Sequence, residues 1–189
     1  MIKKPIVRRS DLRGLKVRAP TRQTNKMLAA LGATPVGMPV PQVPEALSKG
    51  VIDGTILPYE VMPALKVDEL TKFHSGPEAS QPLIYNSVFI IAMNKARYDG
   101  LPADLKKIVD ANSGIELSGS IGRLFAEIEV INKKKVGGIE NVISNEEIEE
   151  WKKVVQPVTD GWVQDANAKG VDGKALYKNA RDLMSKYSK

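Results

Sequence analysis

The chain is 189 residues long, 42% hydrophobic and 26% charged, with 28 Lys and Arg against 22 Asp and Glu and a formal net charge of +6. That length holds one domain, or one and a half, with a sizeable core, and the apolar content excludes wholesale disorder. The absence of cysteine excludes disulfides and thiolate metal sites, and a single histidine, His74, argues against a zinc or iron centre.

The start of the chain is basic. Residues 1–26 carry nine Lys or Arg against one acid, Asp11, while the remainder holds 19 bases and 21 acids. Such an arm fits nucleic acid, acidic lipid, an anionic ligand or simply a solvated face. The opening Met-Ile-Lys-Lys-Pro lacks the apolar core of a signal peptide, so any export signal of a parent protein lies outside this chain. No run approaches the roughly 20 apolar residues that a membrane span needs.

Residues 10–14 read as one helical turn capped by Ser10 and stopped by Gly14. Residues 15–19 form a short strand, and Pro20-Thr21 opens a helix to Leu31, with Met27, Leu28 and Leu31 on one face and Gly32 at its end. A second strand covers 35–38. "VPEALSKG" is a helix closed by Gly50, and "VIDGTIL" a third strand interrupted by Gly54, followed by a helix over 58–65. The order strand, helix, strand, helix, strand, helix predicts an α/β unit with largely parallel pairing. "YNSVFIIAMN" has an unalternating apolar run, 88–93, which predicts a strand covered on both faces. One or two long helices fill about 102–135, "GGIENVIS" gives a turn and a strand, and two helices complete the chain. Pro157 is expected to bend the first of them.

"DLRGLKVRAP", "LGATPVGMPVPQVPEALSKGVIDG" with Pro58 four residues beyond Gly54, "FIIAMNKARYDGLPADLKKIVD" and "GVDGKALYKNARDLMSKY" occur in this order. Together they resemble the C-terminal part of TRAP (tripartite ATP-independent periplasmic) transporter solute-binding proteins, over essentially the whole chain. The resemblance implies an α/β, periplasmic-binding-protein-like second lobe, three-layered with a mixed sheet and flanking helices, plus long C-terminal helices and a remnant of the first lobe. Residues 1–83 would be the main part of the second lobe. Residues 84–123 would belong with the first lobe, most of which is missing, and residues 124–189 would return to the second. It also implies a periplasmic location, a small organic acid as ligand, a membrane permease as partner and no cofactor.

By position, Arg18 matches the family's selectivity arginine. A guanidinium at a strand end pairs bidentately with a carboxylate, the alternative being a surface ion pair. Thr21 is either a second donor to that carboxylate or a plain N-cap, and Asn86 either a cleft-facing amide or a turn residue. Leu57, Pro58 and Tyr59 would line the cleft, with Leu57 also a candidate core residue. Many relatives carry asparagine where Leu57 stands, which points to an apolar or aromatic monocarboxylate or a keto acid. Asp53 and Gly54 read as structural, His74 as a lone strand-end histidine, and Trp151 and Trp162 as core residues on one helical face. Neither G-x-S-x-G, a phosphate-binding glycine loop nor a paired-histidine metal motif occurs, so the chain reads as a binding protein and not an enzyme. Two alternatives stand beside this reading. One is a self-associating α/β domain without ligand, dimerised or swapped through 84–135. The other is a basic nucleic-acid binder, which lacks any recognised motif.

Overall fold

A computed structural model of the protein describes residues 4–78, 84–86 and 88–187. At its centre lies β1 (Lys16–Ala19), flanked by β2 (Thr34–Gly37) on one side and β3 (Gly54–Thr55) on the other, all parallel. The helices between them, α1 (Arg22–Leu31) and α2 (Val43–Ser48), make the two crossovers that parallel pairing requires. Gly32 ends α1 in the left-handed region at φ 99°, and the following Ala33 N–H donates to the Leu28 C=O at 3.0 Å, as its position predicts.

A second, two-stranded parallel sheet pairs β4 (Phe73–Pro77) with β5 (Ile139–Ile143). Between β3 and β4 lie a 3-10 turn (Pro63–Leu65) and the short helix α3 (Val67–Leu70). After β4 come α4 (Lys95–Asp99), α5 (Ala103–Ala111) and α6 (Gly114–Lys135). Beyond β5, α7 (Asn145–Asn167) packs on α1 and carries α8 (Gly173–Tyr187). Gly138, at φ 107°, leads into β5; a Cβ there would stand 3.0 Å from the Lys72 C=O, so the two strands enter their sheet through a glycine-sized gap. No helix among the described residues is long and apolar enough to cross a membrane.

The core falls into two clusters. Leu12, Val17, Ala19, Leu28, Leu31, Ile143, Ile148 and Trp151 join β1 to α1 and α7. Val43, Leu47, Ile52, Met62 and Val67 join α2 to α3. Strand alternation explains the first: Val17 and Ala19 share one face of β1, and Arg18 between them faces the other way.

Several expectations are corrected. The helix over 58–65 is absent: a 3-10 turn at Pro63–Leu65 precedes α3. Pro63 lacks an N–H and would clash with the Tyr59 carbonyl in a continuous helix. Ser10 does not cap the first turn; the Asp11 carboxylate does that work, accepting from the Val7 and Arg8 N–H groups at 3.0 Å each. The strand over 88–93 is not formed. Val88, Phe89, Ile90 and Ile91 are 88%, 74%, 84% and 76% exposed, and the described residues place no strand beside them. An apolar run becomes a strand only where neighbours complete its hydrogen bonds. His74 lies within β4 and not at a strand end. The expected core position of Trp151 holds, whereas Trp162 is only half-buried; α7 runs as one helix through Pro157.

Candidate functional site

In an open parallel sheet the ligand crevice lies beyond the carboxyl ends of the strands, at the point where strand order reverses. β1 is that point, because the chain adds β2 on one side and then crosses to add β3 on the other. Arg18 is the penultimate residue of β1 and only 3% exposed, which sets aside the surface ion pair. Its Nε–H donates to the Met38 C=O at 3.1 Å and Nη1 to the Ile56 C=O at 3.2 Å. Met38 and Ile56 each stand one residue past the end of β2 and β3, so the guanidinium spans the carboxyl edge of the whole sheet.

Burial pushes the Arg18 guanidinium below the ordinary arginine range, with Tyr85 acting in the opposite sense. A guanidinium nonetheless stays charged at any physiological pH. Among the described residues no carboxylate pairs with it. Two of its five donors meet neutral carbonyls, leaving a desolvated cation that no carboxylate among the described residues balances.

Thr21 caps α1. Its hydroxyl accepts from the Thr24 N–H at 3.1 Å, and Thr24 Oγ1 accepts from the Thr21 N–H at 2.9 Å, a reciprocal box at the helix start. One turn on, the Asn25 side chain donates to the Thr21 C=O at 2.8 Å and packs against Gly37 at the end of β2. Its Oδ1 is buried without a partner, as is Oε1 of Gln23. Asn25 went unnoticed in the sequence, although a polar residue three before Leu28, on the face α1 buries, was the available signal.

Asn86 is exposed, and its amide contacts Met184 Sδ on α8 at 3.5 Å. The preceding residue, Tyr85, acts electrostatically on Arg18 instead. Leu57 is half-buried against the α2–α3 cluster, and Pro58 is exposed. The Tyr59 ring meets His74 edge-on at 5.8 Å and lies 5.8 Å from the Lys133 ammonium; burial first, then Glu140, raises its pKa. Arg18 therefore gathers Met38, Ile56 and Tyr85, while Tyr59 sits with His74 and α6. Asp53 is structural, its carboxylate accepting from the Lys16 N–H at 2.9 Å. Surface depressions of about 360 Å³ between α7 and α8 and about 310 Å³ beside Arg8 and Glu147 are lined by none of the predicted site residues. Of the nine basic residues in 1–26, Arg18 is buried and Lys26 lies 3.6 Å from Asp165.

Three comparisons bear on this geometry. The sequence model described as bacterial extracellular solute-binding protein, family 7 (DctP) matches residues 2–165. A C4-dicarboxylate-binding periplasmic protein of Rhodobacter capsulatus is 31% identical over 163 residues, covering 82% of this chain and 46% of its own. A TRAP solute-binding protein from Rhodoferax ferrireducens, solved with copurified benzoate, is 45% identical with a TM-score of 0.92, over 99% of this chain and 59% of that one. A marine metagenome TRAP solute-binding protein specific for aromatic acids, solved with metahydroxyphenylacetate, is 44% identical with a TM-score of 0.91, over 100% of this chain and 60% of that one. The chain thus spans about half the length of its relatives.

Proposed function

The chain belongs to bacterial extracellular solute-binding protein family 7, the TRAP-transporter solute-binding proteins, and we propose that it supplies the carboxylate-anchoring lobe of a receptor for a small aromatic monocarboxylate. Arg18 carries the reading: a buried guanidinium at the carboxyl edge of the sheet, held by two carbonyls and paired with no described carboxylate. An incoming carboxylate would neutralise it through two parallel hydrogen bonds. Thr21 and Asn25 add polar groups at the start of α1, and Leu57 and Pro58 an apolar wall beyond β3. The aromatic acids bound by the relatives at 45% and 44% identity support the same ligand class. Residues 1–83 and 124–189 would form this lobe and 84–123 would pack with the opposite one. The periplasm would be its compartment and a membrane permease its partner.

Calorimetric titration with benzoate and with benzamide, its uncharged isostere, tests the reading. Binding of benzoate alone is expected; equal binding of both would refute a carboxylate anchor.

The exposure of residues 88–91 favours a second reading, in which the chain self-associates through 84–135. Phe89 already stacks edge-on against Phe125 of α6 at 5.9 Å, and Leu124, Val130 and Ile131 continue the apolar surface. Exposed apolar side chains of this kind promote pairing between copies. Light scattering over a concentration series should show dimer mass, reduced to monomer by Ile90→Asp. A monomer throughout would refute it.

A further inference from the structure

Near its C-terminal end, α6 presents Glu129, Asn132 and Lys133, spaced so that they share one side of the helix. That side grips the loop beyond β3. The Glu129 carboxylate accepts from the Glu60 N–H at 2.6 Å, and the Asn132 amide donates to the Glu60 C=O at 2.9 Å. Both backbone polar groups of one loop residue are thus held by one helix. Lys133 lies over the neighbouring Tyr59 ring and is itself fixed by an ion pair to Glu140 of β5 at 2.5 Å. Four residues upstream, the Ile56 C=O accepts from Arg18. Residues 56–60 therefore run as a short strap, with the guanidinium at one end and α6 at the other. Pro58 in its middle has a fixed φ, which stiffens the strap against absorbing a displacement locally.

We propose that Glu129 and Asn132 are positioning residues for the Arg18 site: by pinning Glu60 they set how the 56–58 wall stands against the guanidinium, and they couple the orientation of α6 to ligand affinity. This rests on reading Arg18 as the carboxylate anchor. α6 is 22 residues long, about 33 Å of continuous helix, and its first ten residues fall in the segment assigned to the opposite lobe. A tilt of α6 imposed there is delivered to the wall at Glu60.

The test uses the full chain with Glu129→Ala, Asn132→Ala, Glu129→Gln and, as a control on the exposed side of α7, Glu150→Ala. The first readout needs no ligand. Exchange of the Arg18 Nη1 protons, one of which is donated to the Ile56 C=O of the strap, followed by nitrogen-15 NMR, should accelerate about tenfold in Glu129→Ala and Asn132→Ala. Glu129→Gln, which keeps an acceptor, should recover most of the protection, and Glu150→Ala should match wild type. An unmoved Arg18 resonance in a folded Asn132→Ala chain overturns the strap, whether or not benzoate binds. The second readout is benzoate affinity, expected to fall about tenfold in the two alanine variants; undiminished affinity there also overturns the proposal. Undiminished affinity in Arg18→Lys would instead overturn the carboxylate reading, with the exchange readout still deciding the strap.

Discussion

Replacing Arg18 separates binding from stability. In Arg18→Lys the charge remains, but a single ammonium replaces a planar fork that is already committed to Met38 and Ile56. It cannot hold both carbonyls and also present two parallel donors to a carboxylate. Losing one hydrogen bond to a charged group costs about 1.5–3 kcal/mol, equivalent to roughly ten- to hundredfold weaker benzoate binding. Arg18→Met removes the charge altogether. The two carbonyls lose their donors, which costs about 1.5–3 kcal/mol each. The chain no longer has to desolvate an unpaired cation, however, and that saves several kcal/mol at a site 3% exposed. The opposing contributions are comparable, so Arg18→Met should keep its stability to within about 2 kcal/mol while benzoate binding disappears. Calorimetry gives the affinities and urea unfolding followed by circular dichroism the stabilities. Arg18→Lys binding benzoate as tightly as wild type would refute the reasoning. So would an Arg18→Met chain that fails to fold, since the arginine would then be a structural strut.

The half-buried His74 has a pKa below its ordinary value of 6.5, burial being the main cause. The unfolded chain then binds the proton more readily, so the His74 contribution is present above about pH 6.5 and is lost as pH falls through the folded value. Urea midpoints should decline on acidification and decline less in His74→Gln; identical slopes would show that another group is responsible. Thr21→Ala removes the acceptor of the Thr24 N–H and should cost about 1 kcal/mol, with Thr21→Ser restoring it. An unchanged urea midpoint would mean the cap is dispensable. Trp151 is 6% exposed and its indole N–H donates to Glu147 at 2.8 Å, so Trp151→Ala should lose about 3–5 kcal/mol in the same assay. A loss under about 1 kcal/mol would place the indole outside the core.

What the sequence disclosed and what it concealed divide along the range of the interactions involved. The run from β1 to α2 was legible because each piece is specified locally: a capping box at Thr21, an apolar stripe ending at Leu31, a glycine that turns left-handed at position 32. Parallel pairing followed from the alternation of elements alone. β4 was hidden because "FHSGP" has no alternation and contains Gly and Pro, and its partner Ile139 lies 66 positions after Phe73. The run 88–93 misled for the converse reason. Its composition fits a buried strand, but a strand needs neighbours, and the described residues supply none. The same division runs through the site. Arg18 was legible because a strand end and its residue type are both local facts. Its surroundings are tertiary: Met38 and Ile56 come from the ends of two other strands, Tyr85 arrives from a segment beyond β4, and Glu129 and Asn132 reach Glu60 from 69 and 72 positions downstream. The proposed anchor can therefore be picked out from one short stretch, whereas the loop beyond β3 is held by α6 from far along the chain. If the strap operates as inferred, benzoate affinity in this chain is set as much by the residues gripping Glu60 as by those touching the ligand, and substitutions at positions 129 and 132 should shift it without altering any group in the crevice.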